Sequence, residues 1–136
     1  IGCIVNPFNK STTMSGWVAD SKGIHAGGWG LTLSAKDMLK LGQLYLNDGY
    51  FNGQQIVSSE WVKQSTTEHS RWDKIGKGFG YLWWLDDEKC FAAMGDSGNI
   101  IYVNREKKLV VAIASLQKQN AKDQIGLIKE HIEPIV

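Results

Sequence analysis

The stretch that decides the fold runs from residue 27 to residue 62 and reads GGWGLTLSAKDMLKLGQLYLNDGYFNGQQIVSSEWV. Its glycine-rich start allows the backbone to bend tightly. Ser34 then stands at an N-cap position with Asp37 three residues later, a capping box with Asp in place of Glu. A helix is therefore predicted over residues 35–48. Its apolar face, at helical spacing, consists of Met38, Leu41, Leu44 and Tyr45.

Turn signals end this helix and introduce a second one. The run Asn47-Asp48-Gly49 contains residues that accept left-handed backbone, so it is predicted to stop the helix. Asn52-Gly53 then turns the chain again. Ser58 or Ser59 is the predicted cap of a short helix over residues 59–66.

Strands fill most of the second half of the chain, after a polar loop predicted over residues 67–77. Charged turns occupy residues 86–89 and 105–108. Connections this short cannot make the crossover that parallel strands need, so they favour antiparallel hairpins. The predicted strands are residues 79–86, 90–95, 99–104 and 109–115.

Helices are expected to cover this sheet, because its first strand is apolar on both faces. A last helix is predicted over residues 121–132, starting at Asn120 with Asp123 three residues later and ending before Pro134. Residues 1–33 lack periodicity and are predicted to be loop with at most a short turn of helix. The prediction is an α+β fold, one antiparallel sheet flanked by helices. In the first strand Phe79, Tyr81, Trp83 and Leu85 alternate with Leu82 and Trp84, and the last helix carries Ile125, Ile128 and Ile132 on one side.

Size and composition point to one ordinary globular domain over residues 1–136, with 43% hydrophobic and 21% charged residues. A net charge of +1 gives no basic footprint for nucleic acid. The apolar run from Leu109 to Ala114 is too short to span a bilayer. No signal peptide is visible, and the chain starts without Met, so a processed or excised fragment is expected.

The cysteines and histidines do not predict a metal site or an established disulfide. Cys90 lies in an apolar strand and is predicted to be a small buried residue, although a disulfide to Cys3 is possible. His25, His69 and His131 are scattered without metal-ligand spacing. No metal and no cofactor are predicted.

The order of these parts resembles the C-terminal half of the serine β-lactamase and penicillin-binding-protein family, in its class C-like branch. That family has a Gly-Gly-x-Gly-Leu start, a Gly-Gln-Leu-Tyr-Leu-Asn-x-Gly helix end and an Ile-Val-Ser-x-Glu-Trp-Val segment. Its later segments match FGYLWWL at residues 79–85, CFAAMGDSGNIIYV at 90–103 and LVVAIAS at 109–115. The resemblance covers residues 17 to about 132. It implies a fragment of a larger β-lactamase/transpeptidase-like domain, whose missing N-terminal part completes the sheet.

In that family three motifs meet at one cleft: Ser-x-x-Lys with the nucleophile, Tyr-x-Asn, and Lys-Thr-Gly or His-x-Gly on a strand. The one Ser-x-x-Lys, at residues 115–118, follows the last strand rather than lying in a helix. Tyr-x-Asn occurs at residues 45–47 and 102–104, at a helix end and a strand end, and both are interpreted as structural. The first two motifs are therefore expected upstream of Ile1.

The third motif is matched by residues 95–99. Asp96 stands where Lys or His is usual, Ser97 at the Thr position and Gly98 at the Gly. The resemblance implies that Asp96, Ser97 and Gly98 bind substrate and that the Asn99 backbone N–H donates to an oxyanion. Asp96 places a carboxylate where a cation is usual, which casts doubt on recognition of a substrate carboxylate. The alternative is a tight turn without a chemical role.

The resemblance implies a hydrolase that acts through an acyl-enzyme on an ester, an amide or a β-lactam. This chain alone is expected to be inactive. Alternatives are a non-catalytic binding or regulatory protein with the same fold, and a sugar-binding domain, which an exposed coplanar Trp pair would support. Expected partners are the missing N-terminal part, a small-molecule substrate and, through an open sheet edge, a second copy. Family members are often periplasmic or secreted. Trp17, Trp29 and Trp72 are in predicted loops, and Trp29 is placed to border the cleft.

Overall fold

The computed structural model describes residues 16–95, 98–115 and 123–136. The helices are α1 Ala35–Leu46, α2 Ser59–Ser65 and α3 Gln124–Leu127, and α3 continues as a π-helical turn, Ile128–Ile132, and a 3-10 turn, Glu133–Ile135. The strands are β1 Gly16–Trp17, β2 Leu31–Thr32, β3 Tyr50–Phe51, β4 Gln54–Gln55, β5 Ser70–Trp72, β6 Lys77–Phe79, β7 Trp84–Leu85, β8 Cys90–Gly95, β9 Asn99–Asn104 and β10 Leu109–Ile113.

Six of these strands form one antiparallel sheet in the order β10-β9-β8-β7-β6-β5. Each strand pairs with the one that follows it in the chain, so the sheet is a meander. The strands β8 and β9 form the longest ladder, with six residue pairs from Cys90↔Asn104 to Gly95↔Asn99. The predicted α+β fold with antiparallel hairpins is confirmed. Two smaller hairpins, β1–β2 and β3–β4, lie outside the main sheet.

Helices bury both faces of the centre of the sheet. Successive side chains of a strand point to opposite faces, so each face has its own set of packed residues. On one face Met38 of α1 packs with Phe91 and Val103. On the other face Ile125 and Ile128 pack with strand residues of β8 and β9. The first cluster also contains Trp83 and Ile101, and the second contains Cys90, Ala92, Ile100 and Tyr102.

Gly42 lets α1 lie close to the sheet. A Cβ at this position would lie 2.8 Å from Ile101 Cγ2 and would also overlap Val110 Cγ1. Glycine costs about 1 kcal/mol in a helix interior, and here the close packing of helix and sheet offsets that cost.

The predicted caps are present. The Ser34 hydroxyl accepts a hydrogen bond from the Asp37 N–H at 3.2 Å, and it donates one to the Asp37 carboxylate at 2.8 Å. At the other end α1 stops at Leu46, two residues before the predicted end, and the Gly49 N–H closes it on the Leu44 carbonyl at 2.8 Å. Ser58 is the cap of α2, with the Trp61 N–H donating to its hydroxyl at 3.1 Å.

The strand predicted over residues 79–86 is wrong, because a turn divides it. Phe79 pairs with Trp84, the Gly80 N–H donates to the Trp83 carbonyl at 2.8 Å, and Leu82 has φ +66°. Tyr81 and Leu82 are therefore exposed at a hairpin tip instead of being covered on both faces. The apolar alternation runs through this turn, and its positive φ falls on Leu82 rather than on a Gly or Asn, so the pattern concealed the turn.

Two predicted loops contain strands. The segment 67–77 includes β5, an edge strand that is exposed along its length and therefore polar enough to resemble a loop. The described part of the segment 1–33 includes the β1–β2 hairpin and a bridge between Ala19 and His25, and residues 1–15 lie outside the described chain.

The last helix also differs from its prediction. Its N-cap is Asp123, whose carboxylate accepts from the Ile125 N–H at 3.1 Å, whereas Asn120 lies outside the described residues. Within its described part, from residue 123 onward, the α-helical residues are Gln124–Leu127, and the turn that follows is π-helical. Apolar spacing does not distinguish these two helix types over a single turn.

Candidate functional site

The predicted site lies at one end of the six-stranded sheet. In an antiparallel meander, alternate turns lie at the same end. The β6–β7 tip, the β8–β9 turn and the end of β10 therefore share one end, which we call the site end. The turns at residues 73–76, 86–89 and 105–108 share the opposite end, which we call the charged end because each contains charged residues.

Gly98 is half-buried where three segments meet. Its φ is +79°, a conformation that glycine adopts without steric cost. A Cβ at Gly98 would lie 2.9 Å from the Ser115 hydroxyl oxygen and would also overlap the side-chain amide of Gln124. Glycine is therefore required at position 98 for two independent reasons. One is the positive φ of the β8–β9 turn, and the other is the close approach of the end of β10 and the start of α3.

Asn99 joins the same meeting point through its side chain. Its carbonyl oxygen accepts a hydrogen bond from the Ser115 N–H at 3.0 Å, which ties the start of β9 to the chain that leaves β10. Asn99 also pairs with Gly95 at the last position of the β8–β9 ladder. The sequence did not suggest this structural role. The oxyanion-hole role of the Asn99 backbone N–H stays a prediction.

The other predicted site residues, Asp96 and Ser97, lie outside the described residues. The Ser-x-x-Lys at residues 115–118 is described only at Ser115, which follows β10 by two residues. Ser115 therefore lies near a strand end, as expected, and residues 116–118 of the motif lie outside the described residues.

Both Tyr-x-Asn segments have the structural roles predicted for them. Tyr102 and Asn104 are buried in β9, and both donate to the same Glu133 oxygen, at 2.7 and 2.6 Å. Burial raises the pKa of Tyr102, so its hydroxyl remains a hydrogen-bond donor. In the other segment Tyr45 packs on Trp83 with ring centroids 4.5 Å apart, and Asn47 is the C-cap of α1.

Cys90 is buried, as predicted, and burial raises the pKa of its thiol to about 11. A thiol with that pKa is protonated at neutral pH and is a poor nucleophile. Its possible disulfide partner, Cys3, lies outside the described residues. Within the described ranges, no group of three or more His, Cys, Asp or Glu is arranged to hold a metal ion. The helices described here are also too short or too polar to cross a membrane.

The sequence analysis missed an exposed aromatic stack at the site end. Tyr81 stacks on His69 with ring centroids 4.2 Å apart and planes 14° apart. Trp61 of α2 stacks with Tyr81 at 5.6 Å and 23°. The Tyr81 N–H donates to the Ser65 carbonyl at 2.9 Å, so the tip of the β6–β7 hairpin is fixed to the end of α2. Only Gly80 hinted at a turn in this segment.

The strand β8 has an edge without a partner strand next to this tip, as far as the chain is described. It pairs with β9 along its whole length, but with β7 only at Phe91 and Ala92. Residues 93–95 therefore lack a ladder on the β7 side, and they lead directly into the β8–β9 turn.

The charged end is held by ion pairs. The Asp86 carboxylate, which is nearly buried, bonds to Lys77 of β6 and to Lys129 of the π-helical turn. Burial alone would raise the pKa of Asp86, but the hydrogen bonds from Lys129 and Lys77 outweigh burial and hold it below its usual value. This cluster joins the sheet to the last helical segment.

The exposed tryptophans do not form the pair expected of a sugar platform. Trp72 and Trp84 are 5.9 Å apart with planes inclined at 34°, so they are not coplanar. Trp17 stacks on His25 instead. Trp29 is exposed in a depression of about 410 Å³ that Ile24 and His25 also line, and its place at the border of a cleft stays a prediction.

Comparisons with known proteins support the fold. No protein-family model matches the chain, and no curated protein matches it. A solved structure that resembles it is described as "Putative 6-aminohexanoate-dimer hydrolase from Bacillus anthracis", with a TM-score of 0.67 and 25% sequence identity. The match covers 88% of this chain and 32% of that one, so the chain spans about a third of its neighbour's length. The sheet and its helices therefore have a β-lactamase-like hydrolase fold.

Proposed function

We propose that this chain is the C-terminal portion of a β-lactamase-like serine hydrolase that works through an acyl-enzyme. The observation that carries the proposal is the Gly98–Asn99 turn. It lies at an end of the sheet in a β-lactamase-like hydrolase fold, with a glycine that its backbone and its neighbours both require. The resemblance of these residues to the family's third motif is thus consistent with the fold that the comparison supports.

In this proposal the serine nucleophile and its lysine base come from a Ser-x-x-Lys outside the chain. The serine attacks the substrate carbonyl, the leaving group departs, and water then hydrolyses the acyl-enzyme. The Asn99 N–H and the nucleophile's own N–H stabilise the oxyanion in both steps. Asp96, Ser97 and Gly98 contact the substrate, and Gly98 allows its backbone to approach closely.

The substrate class is an ester, an amide or a β-lactam. The structural neighbour is named as a hydrolase of the 6-aminohexanoate dimer, which supports an amide substrate for this chain as well. Asp96 favours a neutral or cationic substrate, since a carboxylate repels an anionic one.

The proposal includes the rest of the hydrolase as a partner. The strand β10 is the outermost strand of the sheet as described, and its five residues include no charge and no Pro. Such an edge invites pairing. We propose that the N-terminal part of the same protein covers it, and that the isolated chain self-associates there. A monomer in light scattering at high concentration, with no binding of a dye for apolar surface, would contradict this.

The proposed function is tested by mass spectrometry of the full-length protein after incubation with a chromogenic β-lactam and a short-chain aryl ester. We expect a covalent acyl adduct on a Ser-x-x-Lys serine upstream of this segment, and no turnover by the 136-residue chain alone. Turnover by the chain alone that disappears in Ser115→Ala or Ser97→Ala would overturn the proposal.

A second candidate is a non-catalytic binding or regulatory protein that retains the fold. Asp96 favours it, because a carboxylate replaces the usual cation of the third motif. The same experiment separates the two, since this candidate forms no adduct with either reagent. A full-length sequence without Ser-x-x-Lys followed by Tyr-x-Asn would support it directly.

A further inference from the structure

The tip of the β6–β7 hairpin exposes apolar side chains that a folded chain would normally bury. Leu82 has a positive φ of +66°, which costs a leucine steric strain that a glycine would not suffer. Backbone strain of this kind persists where the surroundings impose it, and it concentrates at functional sites. The apolar residues exposed here are Leu82 at 55%, Tyr81 at 47% and Trp61 at 45% of their surface, with Met94 at 44% on the neighbouring β8.

The surroundings hold this tip rigidly. A Cβ on Gly80 would lie 2.9 Å from the Thr67 carbonyl oxygen and would also overlap the Ser65 carbonyl, so the backbone lies directly on the end of α2. The ring of Tyr81 stacks with both Trp61 and His69, and His69 Nε2 donates to the Gln64 carbonyl at 2.8 Å. The exposed apolar surface is thus preorganised, which lowers the entropy cost of binding.

The tip and the Gly98–Asn99 turn lie at the same end of the sheet, with β8 between the strands that lead to them. In the β7–β8 register Trp84 lies opposite Ala92, so the residues before Trp84 extend toward Met94 and Gly95. Pairing stops there because the tip is bound to α2, and this leaves the edge of residues 93–95 between the tip and the turn. Neighbouring strands are about 4.8 Å apart and β8 lies between β7 and β9, so the start of β9 is about 10 Å from the line of β7. An acyl group that extends from the turn across residues 93–95 of β8 spans this distance.

We propose that Tyr81, Leu82 and Trp61 form an apolar wall that selects substrates with an extended alkyl or aryl group at the scissile carbonyl. The proposal rests on the proposed hydrolase function and specifies its substrate class. The wall contacts the apolar part of the substrate, while the Gly98–Asn99 turn holds the carbonyl. Leu82 and Tyr81 are specificity residues in this arrangement and take no part in bond making.

The test uses the full-length protein and a series of p-nitrophenyl esters from acetate to octanoate. We expect wild type to prefer the longer acyl groups, and Leu82→Asn to lower the octanoate-to-acetate ratio of kcat/KM about fourfold or more, the order expected for one desolvated methylene. Asn tolerates a positive φ, so the fold is kept. Leu82→Gly removes the strain and the side chain together, and it should lower the ratio similarly while raising the melting temperature.

Ile75→Asn is the matched control, because Ile75 is an exposed apolar turn residue at the charged end. It should leave the ratio unchanged. The inference is overturned, and the proposed function is kept, if wild type hydrolyses the esters but Leu82→Asn and Leu82→Gly have the octanoate-to-acetate ratio of wild type. The same holds if Ile75→Asn lowers this ratio as much as the Leu82 variants do. If wild type hydrolyses none of the esters and forms no acyl adduct, the proposed function fails and the inference fails with it.

Discussion

At the charged end of the six-stranded sheet the turns at residues 86–89 and 105–108 carry side chains that form ion pairs, whereas at the site end the described turns expose apolar and small residues. Asp86 at the charged end is bonded to two lysines, and Lys89 is bonded to Glu106 of the next turn at 2.5 Å. At the site end Leu82 is exposed and strained, and Gly98 lies close to the side chains of Ser115 and Gln124.

This difference shows that charged groups are paired at one end, whereas apolar surface stays uncovered at the other. Ion pairs at turns satisfy their own groups and need no further partner. Exposed aromatic and aliphatic side chains next to a strand edge gain free energy only when something covers them. The site end therefore offers apolar surface for a ligand to cover, and the following predictions probe each end in turn.

The largest effect is expected at Gly98. Gly98→Ala forces a non-glycine residue into φ +79° and drives its Cβ against Ser115 and Gln124, so we expect a loss of about 3 kcal/mol in the free energy of unfolding. Gly53→Ala is the control, because Gly53 has φ +81° but nothing within 4 Å of the added Cβ, and it should lose about 1 kcal/mol. If urea denaturation gave equal losses for Gly98→Ala and Gly53→Ala, the packing of Ser115 and Gln124 against Gly98 would contribute nothing to the free energy of unfolding.

A smaller effect is expected at the charged end. Asp86→Asn removes the carboxylate that lies between Lys77 and Lys129, and we expect it to lower the free energy of unfolding at pH 7 by about 2 kcal/mol. Glu88→Gln, at an exposed position of the same turn, should change it by less than about 0.5 kcal/mol.

The pH dependence of Asp86→Asn gives an independent check. The folded pKa of Asp86 is lowered, so its contribution is present above the usual value of 3.8 and is lost as the pH falls through the folded pKa. Wild type should therefore lose stability more steeply than Asp86→Asn as the pH falls below about 4. Parallel acid denaturation curves for the two proteins would show that the ion pairs do not stabilise the fold.

The smallest effect is expected for substrate charge at the site end. In the full-length protein Asp96→Lys should raise kcat/KM for a carboxylate-bearing substrate about fivefold, because repulsion of about 1 kcal/mol is removed, and should leave a neutral ester nearly unchanged. Equal effects on both substrates would mean that Asp96 acts through structure. No effect on either would mean that residues 95–99 are only a turn.

The sequence by itself determined the features that depend on neighbours in the chain. Ser34 with Asp37 set the start of α1, because a cap and its N–H partner are three residues apart. Asn52-Gly53 set the β3–β4 turn, since both residues have a positive φ there. The short charged turns required antiparallel pairing, and the resemblance located the Gly98–Asn99 turn.

Only the tertiary structure decided the features that depend on distant residues. Leu82 occupies a positive φ because Tyr81 and Gly80 are fixed to the end of α2, and nothing local to Leu82 marks a conformation that a remote contact imposes. Gly98 needs to be glycine partly because Ser115 and Gln124, far along the chain, fill the space beside it. The sequence pattern reflects local backbone preference, whereas packing between distant segments decides which side chains remain exposed at the site end.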